Sequence, residues 1–383
     1  MIKRILKIML MIGLALIAAF LVYYNTLDNR HQAYYKNRIL HSLRLMDPEW
    51  KQISEKDKTV FLSPTLLIDR KYKSMEGPAA LDYFTINDQN EDLIWLTSFK
   101  TEALDLDNNT VSSDFICHSN LDFVYIEHYG KWGLNDKIHK GYPRLSTVSN
   151  GIIDYDFPEG FGFPLFSNEK ILLQTQVLNH NIKDTVFKLK HRYELEHKKH
   201  SKEMKPLLPV SAYVRIPVEG DIRKNPNDLP DAFCIPVDPE IHSETDPMTN
   251  QLLSSFWIIP KGKRTYRGNI NDQLRIKDSA SVHMIVPHLH PFSEKFQLYD
   301  KTTDKILYEC DVENFTDKIG LKNTPVYKNT EGLMLYEDHE YELIIHTNNP
   351  SEDQQDMMAS MFLYFYDKDM HDKIKTYAKA NNL

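Results

Sequence analysis

The sequence predicts an all-β chain: two β-sandwich domains in series behind an apolar N-terminal helix. Three observations carry that expectation. From Val60 onward, short apolar or alternating runs recur, broken by Asn, Asp, Gly and Pro, which is how strands and their turns are written. Few stretches keep a helical period over three turns. The 383 residues exceed one ordinary domain and suit two of medium size.

Composition narrows the function classes. Hydrophobic residues at 42% and charged residues at 26% are ordinary for a globular protein. A net charge of -8 with no basic face or arm excludes a nucleic-acid partner. The lysine-rich stretch 183–205 is interleaved with Glu194 and Glu196 and reads as a solvated strand surface.

The first element is residues 1–24. Residues 8–24 carry no charge, and with Ile5 and Leu6 the run reaches the roughly 20 residues that span a bilayer. Lys3, Arg4 and Lys7 place the N-terminus in the cytoplasm, and Tyr23 and Tyr24 suit the opposite interface, leaving the folded domains extracytoplasmic. A cleaved signal peptide is the alternative, but no small-x-small site follows a short apolar core, which favours an anchor. Residues 25–58 are polar and helix-permissive and read as a stalk or leading helix.

Strands of the first domain, 59–205, are expected near 65–69, 93–96, 121–126, 170–178 and 185–195. Pro206 and Pro209 interrupt the ladder and set the boundary. In the second domain, 206–370, strands are expected near 212–217, 256–259, 282–286, 295–299, 340–346 and 358–366, with a long surface loop over 225–246 and a tail from 371. The glycines of 157–164 lie between prolines and aromatics and read as a tight turn between strands. GxGxxG, Walker, HExxH and GxSxG signatures are absent. The three cysteines, Cys117, Cys234 and Cys310, allow at most one internal disulfide, and whether Cys234 and Cys310 pair stays open.

One constellation carries chemistry. In Val286-Pro-His-Leu-His-Pro-Phe, His288 and His290 stand two apart, so on a strand both imidazoles leave the same face. Alone, such a pair is more often a solvated surface. Some 70 residues later a polar loop opens into Asp356-Met-Met358-Ala-Ser-Met-Phe-Leu-Tyr364, and a thioether joined to two imidazoles suits reduced copper better than zinc or magnesium. His283, five residues before His288, faces the other way in an unbroken strand and reads as structural.

These residues resemble the copper type-II ascorbate-dependent monooxygenases, the family of peptidylglycine α-hydroxylating and dopamine β-monooxygenases, and their bacterial relatives above all. The Pro-His-x-His strand and the Asp-x-Met segment stand where that family holds its oxygen-binding copper. Trp257-Ile-Ile-Pro-Lys-Gly262 is similar to its Trp-x-x-Pro-Pro-Gly turn, and 66–78, 158–160 and 172–176 to its N-terminal half. The likeness covers roughly residues 60–367. It implies two jelly-roll-like sandwiches, a copper held by His288, His290 and Met358, and ascorbate or another reductant as electron source.

The family's second, electron-transfer copper is not matched. Where a His-His pair is expected the chain has His118-Ser119, and Gln176 stands for the strand histidine, so His118 and Gln176 are at most a remnant. His128 and His180 are other imidazoles nearby in sequence and read as surface or loop residues. Ser360 and Phe362 occupy the family's substrate-holding positions, which argues against a peptide-glycine substrate. Three functions follow: a monooxygenase working at one copper, a copper-binding module without turnover, or a structural descendant of the fold.

Overall fold

The computed structural model describes residues 2–138, 144–149, 151–183, 185–217, 242–246 and 249–383. Strands dominate. A long sheet runs through the strands Lys51–Ser54, Lys58–Leu62, Phe187–Lys199, Leu93–Leu104, Phe161–Phe166, Lys205–Tyr213, Gln355–Tyr366, Ser279–Leu289 and Tyr327–Tyr336, in that order. Two four-stranded sheets cover its two ends. One is Ala79–Phe84, Ile171–Val177, Ile116–Phe123 and Arg144–Ser149; the other is Gly262–Asn269, Tyr341–Asn349, Ser293–Asp300 and Lys305–Asp311.

Each covering sheet closes a core, because alternate residues of every strand point one way. Phe61, Trp95, Tyr193 and Leu195 of the long sheet meet Leu121, Phe123, Ile171 and Leu173 in the N-terminal half. Ile285, Met361 and Leu363 meet Phe296, Leu298 and Leu343 in the C-terminal half. The halves also touch directly. Met284, Val286, Phe362 and Tyr364, on the opposite faces of the same two strands, pack into the N-terminal core.

Several expectations are revised. Pro206 and Pro209 lie inside the strand Lys205–Tyr213 and do not break it. Its parallel pairing to Phe161–Phe166 is confined to Lys205 and Pro206, so at Pro209 only the Gln355–Tyr366 strand is paired, on one side. A proline is tolerated where one edge makes no ladder bonds. Residues 161–164, expected in a turn, belong to the strand Phe161–Phe166, and the turn is left to Glu159 and Gly160, the latter with a positive φ of 77°. The run expected as a strand to residue 126 ends at Phe123 and continues as the helix Tyr125–Trp132, closed by left-handed Gly133.

The stalk is folded. Asp28 accepts a hydrogen bond from the His31 amide and caps the helix Asn29–Ser42. Asn37 accepts the Leu67 amide at 3.0 Å, and Ala33 is buried with Leu66, Ile68 and Tyr72. The hairpin of Lys51–Ser54 and Lys58–Leu62 then starts the long sheet. The expected tail is likewise the helix Lys368–Asn381, capped by Asp367, whose Met370 and Ile374 enter the N-terminal core. Of the long loop, residues 225–241 lie outside the described residues, whereas Ser243–Thr245 forms a short strand. The Phe187–Lys199 strand alternates buried and solvated residues as its charge pattern implied.

Among the described residues one helix, Ile2–Asn25, is long and apolar enough to cross a membrane, and none of its apolar window is buried by protein. Cys117 and Cys310 are buried and unbridged, and Cys234 lies outside the described residues.

Candidate metal centre

Strand parity places the site. On Gln355–Tyr366, Met357, Ala359, Met361 and Leu363 face the C-terminal core, so Met358 leaves the other face, toward the N-terminal half. On Ser279–Leu289 a bulge falls at His283, between Val282 and Met284, and resets the strand so that Met284, Val286 and then His288 face the same way as Met358. His288 pairs with Ser360 across the ladder, and the His290 amide donates to the Met358 carbonyl at 3.3 Å. The two histidines and the methionine therefore line one cleft of about 40 Å³.

The imidazole rings of His288 and His290 have centroids 6.2 Å apart at 75°. Each Nδ1 has a partner outside the cleft's three donors. His288 Nδ1 lies 3.0 Å from the Ser149 hydroxyl, which comes from the N-terminal half, and His290 Nδ1 lies 2.8 Å from Asp356 Oδ2. Partners at Nδ1 restrain how a ring is turned, and Nε2 is the ring nitrogen they do not occupy. Burial, then the neighbouring His290 and His118, holds the His288 imidazole well below the usual histidine range. Burial pushes the Asp356 carboxyl up, but His290, with His180 and a backbone hydrogen bond adding, brings it below its ordinary value.

The N-terminal half closes the cleft with Met75, Cys117, His118 and His180. Met75 is left-handed at φ 66° and packs on Met358, Phe256 and Tyr213. His118 is buried, and its imidazole is held at about 3 by that burial, with Arg144 and His290 adding to the effect. Burial likewise lowers His180 and raises the Cys117 thiol.

The predicted residues are thus sorted. His288, His290, Met358 and His118 share the cleft. Gln176 does not line it: although it pairs with His118 in the ladder, its amide donates to the Gly77 carbonyl at 2.9 Å. His180, read as a surface or loop residue, stands in the cleft wall on a short loop after the strand Ile171–Val177. His128 is a core residue, 2.8 Å from Glu169 and stacked on Phe163, and so is not at the surface either. His283 is structural, held by Ser281 and the Asn329 carbonyl and stacked on Phe161 at 4.2 Å. Ser360 and Phe362 are buried away from the cleft, Phe362 in the N-terminal core.

Sequence reasoning missed Ser149 and Met75. A lone serine and a loop methionine carry no spacing signal; the bulge at His283 and the positive φ of Met75 arise from packing. Among the described residues no three His, Cys, Asp or Glu side chains form a ready metal cage. Two imidazoles and a thioether share this cleft, donor types that suit a soft ion better than a hard one. A wider groove of about 690 Å³ crosses the outer sheet of the C-terminal half, but its Lys295 is taken by Asp311 at 3.2 Å and its Lys263 faces Glu294 at 3.8 Å. It offers no comparable chemistry.

Buried neutral imidazoles also set a pH response. His191 lies 2.5 Å from the Thr175 hydroxyl and is held at about 3 by burial. A histidine depressed in the folded state costs nothing above its unfolded value of about 6.5, and stability is lost as pH falls below that value toward the folded one. Between about pH 7 and pH 5 His191 alone is expected to remove about 2 kcal/mol. Urea unfolding at both pH values checks this: His191→Gln should lessen the loss by that amount, and an unchanged loss refutes the assignment.

No protein-family profile matches the chain, and no curated protein matches it in sequence. Similarity to solved structures is distant. The major capsid protein P2 of bacteriophage PM2 is 8% identical with a TM-score of 0.27, over 75% of this chain and 97% of that one. Peptide N-glycanase F is 9% identical with a TM-score of 0.33, over 83% and 95%. A glycosylasparaginase structure from Flavobacterium meningosepticum is 8% identical with a TM-score of 0.32, over 83% and 96%.

Proposed function

We propose that this chain is a membrane-anchored copper protein that holds one ion where its two halves meet, through His288, His290 and Met358, in a monooxygenase-like centre on two jelly-roll-like domains. The observation that carries the reading is the double occupation of the Nδ1 atoms. With Ser149 and Asp356 at the Nδ1 atoms, Nε2 is the nitrogen that His288 and His290 each have left for an ion, and the Met358 thioether lines the same cleft. When bound, copper would supply the one-electron chemistry by which dioxygen is activated to hydroxylate a substrate, with ascorbate or another reductant as electron source. Asp356, 2.8 Å from His290 Nδ1, and Ser149, 3.0 Å from His288 Nδ1, would hold the two rings in place. Following Lys3, Arg4 and Lys7, the N-terminus is cytoplasmic and the folded part extracytoplasmic.

A second reading, a copper-retaining module without turnover, is favoured by one feature. The cleft is small and walled by a thiol, a second thioether and two further imidazoles, donors that hold reduced copper rather than leave a coordination position open. Full-length protein loaded with Cu(I) separates the two. One copper per chain with ascorbate-dependent oxygen uptake above the metal-free protein supports the oxygenase. One copper and no uptake supports retention. Failure to retain copper through desalting rejects both.

A further inference from the structure

The helix Asn29–Ser42 has two unlike sides. Ala33 and Asn37 are buried against the N-terminal half, where Asn37 accepts the Leu67 amide and Lys36 pairs with Asp69. On the other side, positions 31, 34, 35, 38, 39 and 42 follow the three- and four-residue steps of one helical stripe, and all but the half-buried Tyr35 are exposed. An outward stripe is ordinarily polar and charged. This one holds Tyr34, Tyr35 and Ile39, with Arg38 and His31 as its cationic side chains and no carboxylate. Tyr34 exposes 50% of its surface, and past the helix end Leu43 and Leu45 extend the apolar run at 63% and 59%.

The apolar helix Ile2–Asn25 touches this same stripe. The Tyr35 ring meets those of Phe20 and Tyr23, each centroid 6.4 Å away, at 84° and 70°. At the stripe's margin, Gln32 Nε2 donates to the Tyr24 carbonyl at 3.2 Å and the Leu27 carbonyl at 2.8 Å, and Tyr24 Oη donates to the Gln32 carbonyl at 3.3 Å. On the apolar helix these contacts fall at Phe20, Tyr23 and Tyr24, within two turns of its end. The uncharged run stops at the same place. If Ile2–Asn25 crosses a bilayer, the stripe is set at the level where hydrocarbon gives way to headgroups, the layer that tyrosine rings favour.

Arg38 suits that layer too. Its Nη1 donates to Tyr34 Oη at 2.7 Å, and its guanidinium carbon stands 5.9 Å from that ring's centroid. The contact holds the head on the stripe and leaves further N–H groups for an anion. Carboxylates flanking the helix are engaged, Asp28 with His31 and Glu49 with Arg44.

We propose that the exposed stripe of Asn29–Ser42 docks on the phospholipid headgroup layer, its tyrosines, Ile39 and Leu43 entering that layer and Arg38 meeting a lipid phosphate. The folded part then meets the membrane through a second helix, and the bonds of Asn37 and Lys36 hold it at a fixed height. The inference rests on reading Ile2–Asn25 as an anchor, and on neither the cleft nor copper.

The test uses full-length protein in phosphatidylcholine nanodiscs, with a nitroxide on one added cysteine. Leu43→Cys reports on the stripe, Leu14→Cys on the apolar helix and Ile306→Cys on the outer sheet of the C-terminal half. All three positions are more than half exposed, and unsubstituted protein treated alike gives the background from native cysteines. Power-saturation electron paramagnetic resonance measures collisions with oxygen, which concentrates in lipid, against collisions with a water-soluble nickel chelate. The oxygen-to-nickel ratio at Leu43 should be several-fold above that at Ile306 and below that at Leu14. Tyr34→Glu combined with Arg38→Glu should bring it down to the Ile306 value. A Leu43 ratio no higher than that of Ile306, while Leu14 stays high, overturns the inference and keeps the anchor. Low ratios at Leu14 and Leu43 alike remove both. A Leu43 ratio that the double substitution leaves unchanged overturns the docking surface. So does a Leu43 label shielded from both reagents and broadened by a second spin, which would place another copy of the chain on the stripe.

Discussion

Replacing His288 with alanine is expected to weaken Cu(I) binding by at least about 100-fold, since loss of a ring-orienting partner alone already costs 10–100-fold at metal sites. His290→Ala should match it. Met358→Ile should cost less, about tenfold, because two imidazoles still hold Cu(I), and the isoleucine keeps most of the packing volume against Phe256 and Tyr213. Asp356→Asn should fall between, since the amide can still touch Nδ1 but no longer favours a protonated Nδ1 as the carboxylate does. Competition against a chromophoric Cu(I) chelator gives the affinities, and far-ultraviolet circular dichroism shows that each variant is folded. The order His288 and His290, then Asp356, then Met358 is the signature of this site. If His118→Ala or His180→Ala weakens binding more than His288→Ala, the ion is held by the N-terminal wall instead.

That ranking depends on features of very different visibility in the sequence. The two-residue spacing of His288 and His290 needs only a strand to bring the rings to one face, and the alternation of Met357 and Met358 decides which thioether reaches them. Both are local rules. His180 and Met75 stand on loops, and what brings them to the cleft is tertiary: the Asn179 bridge to Arg70 and the Arg30 bond to the Met75 carbonyl. No periodicity encodes such contacts. The bulge at His283 is also set by packing, since His283 stacks on Phe161 and is held from the Tyr327–Tyr336 strand.

The fold shows the same division. Strands written as short continuous apolar runs, such as Phe256–Ile259, fall where those runs predict. The helix Tyr125–Trp132 is too short for a helical period to emerge against a neighbouring strand. The C-terminal helix was legible in principle: Asp367 is a capping residue, and Met370, Ile374 and Ala378 lie on one helical face. Proline, by contrast, marked a boundary only by its habit. Pro206 and Pro209 mislead because the strand that holds them is paired on one side over most of its length.

The unbroken strand has an energetic consequence. If the halves were independent, a mutation in one would shift one of two unfolding transitions. Here Phe362 and Tyr364 arise from a C-terminal strand yet are buried in the N-terminal core, and Tyr364 Oη donates to the Leu145 carbonyl at 3.0 Å. Phe362→Ala is therefore expected to cost about 3–5 kcal/mol, the usual loss for emptying a buried aromatic site. Tyr364→Phe should cost about 1–3 kcal/mol by leaving the Leu145 carbonyl without this donor. Both should lower a single calorimetric transition and weaken Cu(I) binding together, because Ser149 and His118 approach His288 only while the halves are joined. Two separated transitions, with only the N-terminal one moved and copper affinity unchanged, would mean that the halves fold apart and that the ion is held by the C-terminal strands alone.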